Sequence, residues 1–309
     1  MIIMRILVTG GSGLLGSRIV KYGTLGNEIF GTYLKHSFSV GGAKFFKLDI
    51  TNKNNIEEII NRIEPDIVVH AAALVNADLC ETNYDKTYKI NVKGVKNVAE
   101  VSLQIGAKFA FISSSYVFDG KSGPYSEEDK PNPINKYGKM KLICENFVPS
   151  MFKDWLIIRT SVIYGWNVMN QRLNFIAWII DQLSKNKKIR IITDQTGTPT
   201  FGNNGAQAII KLIKKEKKGI YNIAGSESIS RFNLALKTAK IFGLNKDLLI
   251  PINTISSGQI AKRPVNDSLN IDKARNELKF HFFNIEEGLL AMKNRSREEE
   301  QEWLLRNTI

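Results

Sequence analysis

The sequence has few of the residues that build disulfides and metal sites. Its 309 residues include two cysteines, Cys80 and Cys144, which stand in separate segments, and three histidines. It has no C-x-x-C pair and no Cys/His spacing typical of a metal site. We therefore expect two buried structural thiols and no bound metal.

Long hydrophobic runs are also missing. The sequence has no window of about 18 or more consecutive apolar residues, which predicts that it has no transmembrane helix. The apolar start at residues 1–8 soon meets glycines and has no basic stretch before it, unlike a secretion signal. These absences predict a cytoplasmic protein without a membrane partner.

Acidic residues are fewer than basic ones, 30 against 43, so the formal net charge is +13. Such a charge raises the question of a nucleic-acid partner. The basic residues are spread along the chain, however, and the densest run, 211–218, is mixed with apolar residues as in a solvated helix. We expect no nucleic-acid partner, because a basic surface also suits an enzyme whose ligands carry phosphates.

Short apolar runs alternate with segments of helical periodicity over residues 1–160. This alternation predicts an α/β fold of the Rossmann type, with a doubly wound parallel sheet. The run 67–69 is β-branched throughout, as in a strand buried on both faces. One long helix is predicted from Tyr84 to about Ile105. The predicted strands cover residues 5–9, 28–34, 43–49, 66–70, 108–113 and 155–159.

Beyond residue 160 strand-like and helix-like segments alternate less regularly, which predicts a smaller C-terminal α/β lobe. We predict a nucleotide-binding domain over 1–160 and a mainly substrate-binding lobe over 161–309. The sequence has no linker between them, so we expect the two to be interleaved. The charged tail begins near Ile285, and residues 295–302 are expected to form a solvated helix face.

A glycine motif, TGGSGLLG at residues 9–16, closes the first predicted strand and opens a helix. Gly10 permits a tight turn, Gly13 lets the backbone approach a pyrophosphate, and Gly16 lets the helix pack against the strand. A diphosphate would then lie at the helix N-terminus, which predicts a dinucleotide site. The expected cofactor contacts here are Gly10, Gly13, Leu14, Leu15 and Gly16.

The end of the second strand contacts the adenosine ribose in folds of this kind. An acidic residue there selects NAD, whereas a basic residue accommodates the 2′-phosphate of NADP. Residues 31–36 contain no acid, and Lys35 and His36 are candidates to meet a phosphate. We therefore expect NADP as the cofactor, with NADPH preferred over NADH.

Tyr137 and Lys141 stand four residues apart in a predicted helix, so their side chains share one face. A nearby ammonium stabilises a phenolate, so we expect a lowered pKa for the tyrosine. Three serines, 113–115, end a predicted buried strand, at the edge where open α/β sheets bind ligands. A serine hydroxyl there can donate to a carbonyl oxygen while the tyrosine delivers a proton. Asn91 is either a structural or a relay residue, or an exposed polar one.

In combination, these motifs resemble the dTDP-4-dehydrorhamnose reductase family of the extended short-chain dehydrogenases/reductases. The resemblance runs from about Arg5 to about Leu290, nearly the whole chain. The segments that carry it are 113–120 (SSSYVFDG), 133–141 (PINKYGKMK), 159–165 (RTSVIYG), 194–200 (DQTGTPT), 263–264 (RP) and 268–270 (SLN).

The resemblance implies that NADPH reduces the 4-keto group of dTDP-4-dehydrorhamnose, a nucleotide-diphosphate sugar, to give dTDP-L-rhamnose. By position, Ser114 matches the catalytic hydroxyl, Tyr137 the proton donor and Lys141 its partner. The implied cofactor contacts are Asp49, Ile50, Ala71, Ala72, Ala73, Val75, Tyr137 and Lys141. The implied substrate contacts are Ser114, Ser115, Tyr116 and, as the cation for the diphosphate, Arg263.

The sequence departs from the family pattern at three places. Thr32 or Tyr33 stands where many members have an aspartate, which weakens the case for NADH. Val162 replaces a tryptophan that contacts substrate in some members. Ser17 and Arg18 stand where some members carry a glutamate of a metal-bridged dimer, so we predict no such metal.

Two other functions stay open at this point. The regulatory β subunit of methionine adenosyltransferase is a non-catalytic relative that keeps the fold, the NADP site and the Tyr-Gly-Lys-x-Lys pattern. Another nucleotide-sugar reductase or epimerase of the superfamily is the other alternative. The loop 194–200 favours the reductase. The sequence leaves a homodimer open.

Overall fold

The computed structural model describes residues 3–35, 37–167 and 172–306. The strands are β1 Arg5–Thr9, β2 Glu28–Tyr33, β3 Lys44–Lys47, β4 Ile67–His70, β5 Lys108–Ile112, β6 Trp155–Arg159, β7 Ile163–Tyr164, β8 Ile189–Ile192, β9 Thr196–Gly197, β10 Thr200–Phe201, β11 Gly219–Asn222, β12 Ile229–Ser230 and β13 Leu249–Ile252. The helices are α1 Leu14–Gly23, α2 Lys53–Ile63, α3 Ala77–Thr82, α4 Tyr84–Tyr88, α5 Val95–Gln104, α6 Lys136–Met151, α7 Phe175–Ser184, α8 Gly202–Lys214, α9 Arg231–Phe242, α10 Asp272–Leu278, α11 Ile285–Lys293 and α12 Arg297–Leu305. Within these described ranges, no helix is both long and apolar enough to cross a membrane.

Seven parallel strands form the central sheet, in the order β11-β6-β5-β4-β1-β2-β3. The order changes direction between β1 and β4, which opens a crevice at the carboxyl ends of these strands. One apolar cluster joins one face of the sheet to α1 and α8, and a second joins the other face to α2, α5 and α6. The β-branched strand β4 is therefore buried at every position. This arrangement confirms the predicted Rossmann-type fold.

The chain beyond residue 160 contributes to the central sheet as well as to the smaller lobe. Strand β11 pairs with β6, and α8 packs on α1. Three two-stranded sheets, β10–β7, β12–β9 and β13–β8, belong to the smaller lobe with α7, α9 and α11. The division at residue 160 stays a prediction, and the seventh strand of the sheet lies beyond it.

The long helix predicted over 84–105 runs without a break, but its middle is a π-helix instead of an α-helix. A π-helix, Lys89–Gly94, separates α4 from α5. Its wider turn directs Asn91 inward, where the side-chain amide accepts from the Leu74 N–H (2.8 Å) and donates to the Leu74 carbonyl (2.9 Å). These two hydrogen bonds offset the cost of burying the polar side chain, and they anchor the loop after β4.

A buried ion pair joins α6 to the central sheet. The Arg159 guanidinium, at the end of β6, donates to the Glu145 carboxylate of α6 at 2.7 Å, and both side chains are almost completely buried. The same carboxylate accepts from the Ser113 hydroxyl at 2.5 Å. Burying two charges is costly, so each depends on the hydrogen bonds that the other supplies.

We expect Glu145→Gln to lower the free energy of unfolding by about 3–5 kcal/mol, because it leaves the Arg159 charge buried without its counter-ion. Urea denaturation measures this loss. The control is Glu216→Gln, which breaks the exposed 2.7 Å pair with Lys108. The control loss is expected to be much smaller, because solvent screens an exposed ion pair. Equal losses in the two variants would contradict a special role for the buried pair.

Candidate active site

The glycine turn after β1 has room for backbone only. Gly10 adopts φ +68°, and a Cβ there would lie 2.7 Å from the Cα of Ala72. A Cβ on Gly16 would overlap the carbonyl oxygen of Gly10. Gly13 caps α1 without a side chain over the helix end, so the N–H groups of the first turn face the crevice. The turn is a cradle that fits an anionic diphosphate.

The end of β2 supports this cradle. The Thr32 hydroxyl accepts from the Gly10 N–H at 3.1 Å, and the Thr32 carbonyl accepts from the Ser12 N–H at 3.2 Å. Lys35 follows β2, and its side chain is exposed. In the sheet, β2 is the neighbour of β1, the strand that leads into the cradle. His36 lies outside the described residues. The contacts predicted for these two residues stay predictions.

The other predicted cofactor residues follow β3 and β4 at the same edge of the sheet. Ala71, Ala72 and Ala73 come directly after β4, and Ala72 backs onto the glycine turn. Val75 is 70% exposed at the end of this loop. Beyond β3, Ile50 is buried, and the Asp49 carboxylate accepts from the backbone and hydroxyl of the next threonine. Their contacts with a cofactor stay predictions.

The serine, tyrosine and lysine expected to carry the chemistry come together at the end of β5. Ser114 begins a short 3-10 turn, in which its side-chain oxygen accepts from the Tyr116 N–H at 3.2 Å, and Tyr137 of α6 packs beside this turn. The helix can approach this turn because residue 138 is glycine: a Cβ there would overlap the carbonyl oxygen of Tyr116. The ring centroids of Tyr116 and Tyr137 are 6.0 Å apart.

Burial dominates the proton affinities of this trio. It raises the pKa of Tyr137 above its ordinary value, and the neighbouring Ser114 hydroxyl only partly opposes the shift. Burial also lowers the pKa of Lys141 to about 8. The Lys141 ammonium donates to the Ile112 carbonyl at 2.8 Å and lies 5.9 Å from the Tyr137 ring. The expected lowering of the tyrosine pKa is therefore wrong, because desolvation raises it, and the phenol keeps its proton at neutral pH.

A buried carboxylate that the sequence analysis missed lies beside Ser115 of this turn. The Ser115 hydroxyl donates to Asp267, and the Ser161 hydroxyl lies 3.4 Å from the same oxygen. Burial raises the pKa of Asp267, while the charge of Arg231 lowers it. Asp267 lies between the two pieces of sequence, 263–264 and 268–270, that carry the family resemblance, and the sequence analysis gave it no role.

Two arginines lie near Tyr116, and their charges affect its pKa. Arg263, the predicted diphosphate cation, pairs with Asp78 at 3.0 Å, and its side chain is 11% exposed. Arg231, at the start of α9, was not predicted. Its guanidinium lies 5.3 Å from the ring centroid of Phe175, and within the described ranges no carboxylate approaches it to 4.0 Å. Burial raises the pKa of Tyr116, and of the two arginines Arg231 opposes that shift more strongly.

Both cysteines are free and buried, as the sequence predicts. The Cys144 thiol, in α6, donates to the backbone carbonyl of Asn91 at 3.2 Å. Burial raises the pKa of Cys144 to about 12, so this thiol is unreactive at neutral pH. In the part of the chain that the structure describes, no group of three or more His, Cys, Asp or Glu side chains is arranged to hold a metal ion.

A glycine cradle and a Ser–Tyr–Lys set at the carboxyl edge of one doubly wound sheet define an oxidoreductase of the short-chain dehydrogenase/reductase class. The family model for the RmlD substrate binding domain matches residues 4–297. The chain belongs to this family.

Known relatives cover most of the chain. A dTDP-4-dehydrorhamnose reductase of Aggregatibacter actinomycetemcomitans is 32% identical over 87% of this chain and 91% of its own length. The methionine adenosyltransferase 2 subunit beta of Bos taurus is also 32% identical, over 87% of this chain and 81% of its own length. A crystal structure of dTDP-4-dehydrorhamnose reductase from Bacillus anthracis in complex with NADP matches with a TM-score of 0.84 and 30% identity, covering 95% of this chain and 99% of that chain.

We expect Tyr137→Phe to reduce turnover about 100-fold or more, because it removes the proton donor. NADPH affinity, followed by fluorescence titration, is expected to change little. Lys141→Ala is expected to weaken both turnover and NADPH binding, since the resemblance implies that this lysine also contacts the cofactor. Wild-type turnover in Tyr137→Phe would mean that another group is the acid.

Proposed function

We propose that this protein reduces the 4-keto group of dTDP-4-dehydrorhamnose with NADPH to give dTDP-L-rhamnose. The observation that carries the proposal is the joint burial of Tyr137 and Lys141 in the helix that packs on the Ser114 turn, beside the glycine cradle. The similarity to reductases of this name over most of the chain supports the choice of substrate.

The cofactor is NADP, which the Bacillus anthracis reductase also binds. The cradle fits its diphosphate, because Gly10 and Gly16 leave space that a side chain would fill. Lys35, following β2, would meet the 2′-phosphate. When bound, the reduced nicotinamide supplies the hydride for the carbonyl carbon.

The chain's own side chains supply the proton and hold the carbonyl. Ser114 and Tyr137 would both donate hydrogen bonds to the 4-keto oxygen, which fixes the sugar and polarises the carbonyl. Tyr137 then gives up its proton as negative charge develops on that oxygen. The ammonium of Lys141, held by the Ile112 carbonyl, stabilises the resulting phenolate.

The diphosphate of the sugar nucleotide would lie on the side of Arg231 and Arg263. Arg263 is already neutralised by Asp78. Arg231 has no such partner within 4.0 Å in the described ranges, so its charge is the one available to an incoming anion. We therefore assign the diphosphate first to Arg231, with Arg263 as its neighbour.

The proposal is tested by following NADPH oxidation with dTDP-4-keto-6-deoxyglucose and the 3,5-epimerase that converts it to the L-sugar. We expect oxidation only when the sugar and the epimerase are both present. We also expect a lower KM for NADPH than for NADH, because Lys35 offers a charge to the 2′-phosphate.

Equal Michaelis constants for the two cofactors would contradict the role of Lys35. Tight NADPH binding without any oxidation would overturn the reductase and favour the regulatory-subunit alternative. That alternative rests on the similarity to methionine adenosyltransferase subunit beta. Copurification with a catalytic adenosyltransferase subunit would then be its direct test.

We expect Arg231→Gln to raise the KM for the sugar nucleotide about tenfold, because a charge-assisted hydrogen bond contributes about 1.5–3 kcal/mol. Its NADPH affinity should not change, and Arg231→Lys should recover part of the loss. The matched control is Arg275→Gln, which removes the same charge from an exposed pair with Asp272. A KM for Arg231→Gln equal to that of the control would exclude the assignment.

A further inference from the structure

The last helix of the chain lies beyond the segment that the family shares. The family match ends at residue 297, where α12 begins. A capping box formed by Ser296 and Glu299 starts the helix, so its beginning is well defined. Its buried residues are Glu300 and Leu304, which face the cofactor-binding half of the molecule.

The expectation of a solvated face over 295–302 is wrong at Glu300. Its carboxylate forms an ion pair with the Arg18 guanidinium at 3.0 Å. The Glu300 side chain is 5% exposed and the Arg18 side chain 1%. Asn203 donates to the same carboxylate at 3.1 Å, and Arg295 pairs with its other oxygen at 3.0 Å. Glu300 is buried because these donors replace water around its charge.

Arg18 connects this carboxylate to the glycine cradle. It lies in α1, the helix whose first turn closes the cradle, and its guanidinium also donates to the Leu14 carbonyl at 3.3 Å. A further bond reaches the Trp166 carbonyl at 2.5 Å. The Trp166 indole in turn donates to the carbonyls of Met292 and Arg295, just before α12. The ion pair is thus the centre of a network around α1.

A second set of contacts holds the other end of α12. The Lys21 ammonium of α1 donates to the Arg306 carbonyl, and the Tyr22 ring lies 5.4 Å from that of Trp303. The Gly41 N–H donates to the Leu304 carbonyl at 2.8 Å. Gly41 belongs to the segment between β2 and β3, which also contains Lys35. The helix therefore ties α1 to the segment proposed to hold the 2′-phosphate.

We propose that α12 is a clasp for the adenosine and diphosphate half of NADP, with Glu300 as its positioning residue. Its contacts are to α1, to the segment after β2 and to the Trp166 region. In the described part of the chain, none of its hydrogen bonds or ion pairs reaches Ser114, Tyr137 or Lys141. The clasp acts on cofactor affinity and leaves the chemical step alone. This inference rests on the proposed cofactor.

Coupling of this kind is reciprocal. If a docked α12 favours NADPH binding by some factor, NADPH favours the docked helix by the same factor. We expect Glu300→Gln to raise the dissociation constant of NADPH about tenfold, within the usual range of such coupling. At saturating NADPH, kcat should stay within about twofold of wild type, because the Ser–Tyr–Lys set is held by other contacts.

The experiment has two parts. Fluorescence titration gives the dissociation constant of NADPH for wild type, for Glu300→Gln and for a chain ending at Ser296. The matched control is Glu298→Gln, which removes the same charge from an exposed position of the same first helical turn. Hydrogen exchange of the α12 amides is measured in the wild type with and without NADPH, which needs no variant to fold.

The clasp predicts slower exchange of the α12 amides with NADPH and weaker NADPH binding in Glu300→Gln and in the shortened chain, with the control unchanged. Unchanged exchange in a wild type that binds NADPH would overturn the clasp and leave the reductase standing. Equal NADPH affinities of Glu298→Gln and Glu300→Gln would also overturn the clasp alone. A wild type that binds no NADPH would overturn the proposed function and the clasp together.

Discussion

The buried pair of Glu145 and Arg159 is the constraint on which the active site depends. Glu145 lies one helical turn after Lys141 in α6, and its carboxylate also holds the Ser113 hydroxyl next to Ser114. One carboxylate thereby sets the distance between the helix that carries the acid and the strand end that carries the hydroxyl. Charges so deeply buried permit only one arrangement, because any displacement leaves one of them unpaired.

Two glycines allow the helices of the site to pack directly against the turns that they face. Gly138 lets α6 approach the turn at Tyr116, as Gly16 lets α1 approach the turn at Gly10. The close approach buries Tyr137 and Lys141, and the burial then decides their protonation. It raises the pKa of the phenol and lowers that of the ammonium, so the phenol keeps its proton at neutral pH while the ammonium loses its proton more readily than an exposed lysine would.

The two halves of the site are held by different parts of the chain. The side of the site that we propose for the substrate depends on residues beyond 160. Asp267 accepts a hydrogen bond from the Ser115 hydroxyl, and the charge of Arg231 opposes the raised pKa of both Asp267 and Tyr116. The cofactor side depends on α1, which Arg18 fastens to the end of the chain.

The Rossmann-type sheet, the glycine motif and the spacing of Tyr137 and Lys141 could all be predicted from the sequence, because each is a local pattern with a characteristic period. Which arginines and carboxylates are paired with each other could be known only from the three-dimensional structure. Arg263 was predictable as a motif residue, but its partner Asp78 stands far away in the chain. Glu300 had the pattern of a solvated face until the fold brought Arg18 to it. The direction of the Tyr137 pKa shift was missed for the same reason, since burial and ion pairing arise from contacts between distant segments that no local spacing encodes.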